Sequence, residues 1–526
     1  MSVSHVRRAA ALLGLALTVA PAQDAGDAAA VPFFVEVVDA ATGRGVPLVE
    51  LETVHGVRFV TDSAGVAVVD EPGWNGAEMW FAVRSHGYEL GADGFGNRGF
   101  RVVVAAGTSR RVELQRRNVA ERLYRVTGAD IYRDSRRIGR AVPAILPSPP
   151  AAGQLGNGGV LGQDSVLNAI YGGRLYWFWG DTARASYPLG NFAASGAVSE
   201  LPAQGGLDPA VGVRLTYFVD DQGFSRPMCP LKGPGPVWLD GLTVLDDGEG
   251  GEVMVCHYAR IRDLGSLHEH GFARWHDAEQ RFVPFATLPI GPRLHPFGHP
   301  LRVRADDGDW LYFCDPFPCV RVRARLADYS DPGRYEAYTC LSPGSEFDVA
   351  APAIERDGEG RLVWGWKPAT APIDARQWRD LVAGDKVGAD EGWTDLQDVV
   401  TGSPVVAHFG HVCFNAHRGR YVMLFTEIGG SSLLGEVWYA ESRELGGPWG
   451  RALRIVTHDD YSFYNVRQHP CFAGDGGRLL YFEGTYTKTF SGTKRGTPRY
   501  DYNQIMYRLD LGDPRVEAAF GAPAPR

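Results

Sequence analysis

Between Asp164 and Tyr486 the chain repeats one pattern six times: a short stretch, a Gly- or Asp-rich turn, then a strongly apolar stretch, with polar side chains at both outer ends. The units centre on QDSVLNAIYGGRLYWFWGDT, WLDGLTVLDDGEGGEVMVCHY, GHPLRVRADDGDWLYFCD, AAPAIERDGEGRLVWGWK, GHVCFNAHRGRYVMLFTE and RQHPCFAGDGGRLLYFEG. Short apolar runs joined by such turns predict β-hairpins. In a hairpin the first strand starts at the edge where the second ends. Six pairs are therefore predicted to meet: Asp164 with Asp181, Asp240 with His257, His299 with Asp315, Asp348 with Lys367, His411 with Glu427, and His469 with Glu483.

Segment 31–115 carries a different run of alternating strands, with turns at Asp39–Gly43 and Thr61–Gly65. Residues 116–160 are a connector, in which NVAERLYRV predicts a helical turn or two and a Pro- and Gly-rich stretch predicts a stiff surface linker. The hairpin array fills 161–511, and 512–526 reads as a frayed tail. The predicted fold is all-β: an N-terminal β-sandwich followed by a β-propeller, with six hairpin units counted and five blades as the alternative. The aromatic second strands would fill the space between its sheets.

A chain of 526 residues exceeds one small core, and 66 Gly, 34 Pro and an aromatic share of 11% suit many tight turns between strands. A net charge of -9 leaves no basic footprint for nucleic acid. Arg7 and Arg8, the run AAALLGLALTVA and Ala20-Pro21-Ala22 predict a signal peptide over 1–22 and an exported protein: periplasmic, extracellular or at the cell surface. That run is too short to span a bilayer.

Seven cysteines without a CxxC spacing argue against a zinc cluster and against a fully paired disulfide framework. His268 and His270 have alternate-strand spacing, but no accompanying metal motif, so no metal ligand is assigned. No cofactor is predicted, and a structural calcium ion near the axis is left open. The sequence has no nucleophile elbow, no P-loop and no dinucleotide fingerprint in a strand-turn-helix context.

The predicted rim gathers Asp164, Asp181, Asp240, Asp315, Asp348, Glu427 and Glu483, with Glu346 beside them. Facing them stand His257, His299, His411, His469, Lys367 and Arg467. Carboxylates in so mixed a field can be driven to different pKa values, one a proton donor and one a base. Glycoside hydrolysis asks for such a pair. Arg467 and His469 suit a sugar hydroxyl or carboxylate, and Tyr461, Tyr464, Tyr500 and Tyr502 lie in aromatic loops suited to stacking on sugar rings or to closing the last blade.

Two resemblances add to this reading. The turns "DxxTG…P" and "TDxxG" of 31–115 resemble the carboxypeptidase regulatory-like, transthyretin-type sandwich, which implies an accessory module. GQDSVLNAIYGGRLYWFWGDT followed by YPLGNFAASGA resembles the opening blade of secreted bacterial propellers related to glycoside hydrolases, a family with endo-D-arabinanase activity among them. LLGEVWYAESRELGGPWG resembles a blade motif of arabinanase and xylosidase propellers. The resemblance implies Asp164 as catalytic base and Asp240 as a carboxylate that tunes pKa. The third unit offers His299 and Asp315 where those hydrolases place a Glu, so Glu346 and Glu483 become the candidate acids. Asp181, His299, Asp315, Lys367, His411, Glu427, Arg467, His469 and Tyr502 are the candidate substrate-binding residues. The combined expectation is a secreted glycoside hydrolase acting on a carbohydrate polymer, furanose-containing if the resemblance holds. The alternative is a non-catalytic glycan- or protein-binding propeller at the cell surface. A third reading is a lyase or isomerase using His and Tyr on an acidic sugar, with Lys367 and Arg467 on its carboxylate.

Overall fold

The computed structural model describes residues 31–128, 130–143, 156–184, 193–291 and 293–523. The predicted signal peptide and leader lie outside the described residues, as do 144–155 of the connector and 187–192 of the YPLGNFAASGA segment.

The first described unit is a sandwich of two four-stranded sheets. One is ordered Val66–Val69, Phe33–Asp39, Ser109–Arg116, Tyr88–Glu89, and the other Arg58–Val60, Glu50–Thr53, Glu78–Arg84, Gly99–Val103. Period-two alternation sends Phe33, Val35 and Val37 inward against Leu51, Phe81 and Leu114, all buried in one cluster. The turn at Thr61–Gly65 is built by Asp62, whose Oδ1 accepts the backbone N–H groups of Ala64 at 2.9 Å and Val66 at 3.2 Å. Gly65 there has φ +76°, and a Cβ on it would lie 2.3 Å from the Val37 carbonyl oxygen, so only glycine fits. Asp62 Oδ2 accepts the Ser135 N–H at 2.7 Å, tying the sandwich to a short helix, Arg133–Arg137, of the connector.

Five sheets of four or five strands follow among the described residues. Their innermost strands are Leu167–Tyr171, Val237–Asp246, His299–Ala305, Ala407–Asn415 and Ser462–Gln468, which neighbour one another in that order around an axis. Apolar side chains on facing sheets interlock between them, as Val255 and Phe272 of the second do with Phe313 and Val320 of the third. The molecule is thus an all-β sandwich followed by a β-propeller. No helix among the described residues is long and apolar enough to cross a membrane.

Three local expectations are corrected. The fourth hairpin forms no sheet of its own: its turn closes through Asp357 and Arg361 and its arms meet in a single bridge, Arg356 with Leu362, while Gly365–Pro368 is a fifth strand on the outer edge of the third sheet. Pro352 lacks a donor and the arm before the turn does not alternate, so that arm has little to offer a ladder. The NVAERLYRV segment is not helical. Its residues Glu121–Arg125 form the outermost strand of the fifth sheet, pairing Arg125 with Ile505 and Tyr124 with Met506. The tail is not frayed over Pro514–Phe520, which is a helix capped by Asp513 and anchored by buried Val516 and Ala519.

Candidate active site

The mouth of the propeller is formed where the five inner strands begin. Asp164 precedes the first of them. Its N–H donates to the Asp181 carbonyl at 3.3 Å, so this predicted pair does meet. Tyr464 Oη, from the fifth sheet, donates to Asp164 Oδ2 at 3.1 Å, and the Tyr502 hydroxyl bonds the same carboxyl. Gly180 makes room for it, since a Cβ there would sit 2.3 Å from Asp164 Oδ1. Burial raises the Asp164 pKa to about 7, Asp181 pushes the same way, and the two phenols oppose them. Burial also raises Asp181, against a hydrogen bond from Trp238 Nε1 at 3.1 Å.

Three non-glycine residues around Asp164 hold left-handed backbone: Ser165 at φ 53°, Asn465 at φ 53° and Tyr502 at φ 63°. Each such residue is strained, and the strain persists where surroundings overdetermine it. Here the Ser165 N–H donates to Thr485 Oγ1 at 3.1 Å and Asn465 Nδ2 donates to Ser165 Oγ at 2.6 Å.

Asp240 lies opposite His257 in the second sheet's hairpin, the second predicted pair. Its pKa is raised to about 7, by burial first and by Asp315 next, with Arg293 and backbone amides pulling the other way. Asp315 follows Cys314, the register partner of His299, so the third pair lies one residue out of register. Arg293 Nη2 donates to Asp315 Oδ2 at 3.1 Å, yet burial still lifts Asp315 to about 6. Asp240, Arg293 and Asp315 form one coupled group.

The other sequence candidates lie elsewhere. His411 faces Leu424, because a bulge between Ala407 and Gly410 shifts the register and puts Glu427 opposite Ala407. Glu427, half-buried, accepts from Trp438 Nε1 at 2.8 Å, and burial raises its pKa. Asp348 and Lys367 do not meet. Lys367 pairs with Ala337 and donates to Glu355 Oε2 and the Leu341 carbonyl, both at 2.6 Å, while Asp348 accepts the Ala350 N–H. A committed, buried ammonium on an outer strand is a fastener, not a rim charge. Glu346 is exposed on the segment between those strands, and no hydrogen bond or ion pair among the described residues joins it to Asp164 or Asp240.

A second polar layer lies below the mouth. Arg467 donates from Nε and Nη2 to Asn168 Oδ1 at 3.1 and 2.7 Å, and from Nη1 to His299 Nδ1 at 2.6 Å. His299 packs against His411, whose Nδ1–H donates to the Gln468 carbonyl at 3.2 Å. His469 Nδ1 accepts from Asn168, and its Nε2 lies 3.4 Å from Glu483 Oε1. Glu483, opposite Arg467 in register, has 0% of its surface exposed, and among the described residues neither of its oxygens has a hydrogen-bond partner. Burial lifts its pKa to about 8 and holds Arg467 down at about 10. A carboxyl sealed this way cannot touch a polysaccharide, which removes Glu483 as the acid. His299, His411, Arg467 and His469 are buried with it.

Sequence reading missed Arg293, Asn168, Ser165 and Asn465. Arg293 had one signal, its place in GPRLHPFGHP, where a basic residue and an imidazole precede an inner strand that itself opens on His299.

No family model and no curated protein matches the chain. Among solved structures it is similar to an exo-1,5-alpha-L-arabinanase from a bovine ruminal metagenomic library, at 11% identity and a TM-score of 0.32 over 66% of this chain and 93% of that one. An exo-beta-1,3-galactanase from Phanerochaete chrysosporium gives 11% and 0.35 over 69% and 63%. An N-acetylgalactosamine deacetylase from F. plautii gives 11% and 0.36 over 76% and 98%. Likeness at that level carries over no activity and no residue role.

Proposed function

We propose that the protein is an exported glycoside hydrolase that cleaves a polysaccharide at the mouth of its propeller, with the sandwich as an accessory module. The observation that carries this reading is the occurrence at the mouth of two half-buried carboxyls, Asp164 and Asp240, both raised to about 7 by burial and by a neighbouring carboxylate, Asp181 and Asp315 respectively. Asp164 receives two phenol hydrogen bonds, which favour its anion and suit a base or nucleophile. Asp240 has Asp315 beside it as Asp164 has Asp181, and with Asp164 taken as the base Asp240 is left as the general acid. This gives Asp240 the acid's role in place of Glu346 or Glu483, with Asp315 as the tuner.

The strained backbone at Ser165, Asn465 and Tyr502 supports a working site at Asp164 rather than an idle turn. Phe490, 45% exposed, packs edge-on to Tyr464 with ring centres 5.8 Å apart, so an apolar ring stands beside Asp164 where a sugar face could stack.

The purified protein should release reducing ends from at least one member of a panel of furanose- and pyranose-containing polysaccharides. Asp164→Asn should abolish release, whereas Asp240→Asn should retain activity on an aryl glycoside of the same sugar whose leaving group needs no proton. Retention of a polysaccharide without any release would convert the reading to the non-catalytic binding propeller.

A further inference from the structure

We propose that His257, His270 and His295 form a binding site for a divalent transition-metal ion of the zinc type, between the second and third sheets beside the mouth. One ring nitrogen from each lies within 4.8 Å of the other two. In antiparallel strands His257 faces Phe272, so His270, two residues away, is its diagonal neighbour on the same face of the sheet. His295 comes from the segment that leads into the third inner strand, and its ring stacks on His257 with centres 4.2 Å apart. Bound to one tetrahedral ion at the usual metal–nitrogen length, the three nitrogens would stand about 3.3 Å apart, a small closure that the half-buried His295 can make.

Backbone carbonyls set the tautomers for ligation. His270 Nε2–H donates to the Pro289 carbonyl at 3.0 Å, which leaves Nδ1 as the lone-pair atom. That Nδ1 accepts from His257 Nε2–H at 2.9 Å, a proton that an ion bound between the two rings would displace. His295 Nδ1–H donates to the Pro296 carbonyl at 2.9 Å, which leaves Nε2 as its lone-pair atom. Fixing a ligand imidazole through its far N–H is the usual outer-shell device of metal sites.

The surrounding charge permits a cation. Arg293, two residues before His295, is committed to Asp315 at 3.1 Å and lies over the Phe297 ring at 3.8 Å. Asp240 stands across the ladder from His257. Three imidazoles and no carboxylate in the ligand set select zinc, copper or nickel over calcium or magnesium. A water would complete four-coordination on the solvent side of His295. The ion would pin the segment carrying Arg293 and His295 to the second sheet, independently of whether the mouth hydrolyses a glycan.

The test uses the tag-free full chain, dialysed against chelator and titrated separately with zinc chloride and calcium chloride. One equivalent of zinc should bind and survive gel filtration, calcium should not bind there, and cobalt(II) should give the visible bands of a tetrahedral nitrogen-rich site. His295→Ala, a change at a half-buried residue, should weaken zinc binding roughly tenfold or more while the melting temperature without metal stays at the wild-type value. Zinc binding equal in wild type and His295→Ala, or no retained zinc in the wild type, would overturn the site. His257→Phe should abolish zinc binding, and if that variant fails to fold, His295→Ala and the cobalt spectrum still decide.

Discussion

The mouth of the propeller and the layer just beneath it draw on similar residue types and put them to opposite uses. At the mouth, Asp164 and Asp240 keep part of their surface open, each with a carboxylate neighbour that resists its ionisation. Below, Arg467, Asn168, His299, His411, His469 and Glu483 interlock with almost no solvent contact. Both layers have displaced pKa values, so displacement alone does not mark a reactive group. Access and the sign of the neighbouring charge separate a site from a plug.

Substitutions can break this contrast, and the largest effect is expected at the mouth. Asp164→Asn should lower glycan cleavage by about 10³-fold, the size of a lost acid-base group, while the melting temperature changes little. Next is Arg467→Met, which leaves Asn168 and His299 without a donor in a sealed layer. It should cost about 3 kcal/mol of stability by denaturant titration, with the activity per folded molecule retained.

The third is a matter of pH. Glu483 ionises near 4.5 in the unfolded chain and near 8 in the folded one, so its protonated form favours folding. That contribution is fully present below about pH 4.5 and is lost as pH rises towards 8. Glu483→Gln should therefore flatten the fall in stability between those limits and leave cleavage within about twofold. An activity loss as deep as that of Asp164→Asn would mean that the lower layer is part of the site. The smallest effect is expected for Tyr464→Phe. It removes one donor to the Asp164 anion, so the acidic limb of the kcat/KM profile should move to higher pH with the plateau nearly unchanged.

The architecture was legible because period-two alternation and Gly- and Asp-rich turns are local. The pairs Asp164 with Asp181 and Asp240 with His257 followed from hairpin geometry alone. Local signals failed where a single residue decided the register. The bulge between Ala407 and Gly410 moved Glu427 away from His411, and a Pro-bearing arm kept the fourth hairpin from becoming a sheet. They failed again across sheets. Nothing near Arg467 in the chain announces Asn168, and nothing near His257 announces His295, because the axis brings together residues from distant segments. Depth was also hidden, since Glu483 and Asp181 were expected at like positions in their hairpins, yet the first is fully buried and the second is not.

The strand Glu121–Arg125 finds its partner only in Asn503–Asp510. A chain made from its N-terminus must hold that strand in waiting until nearly everything after it has been synthesised. Closure of the ring is then a proofreading step in assembly: a product cut short before residue 503 leaves its first propeller strand unmatched and offers a bare β-edge to proteases and to other chains.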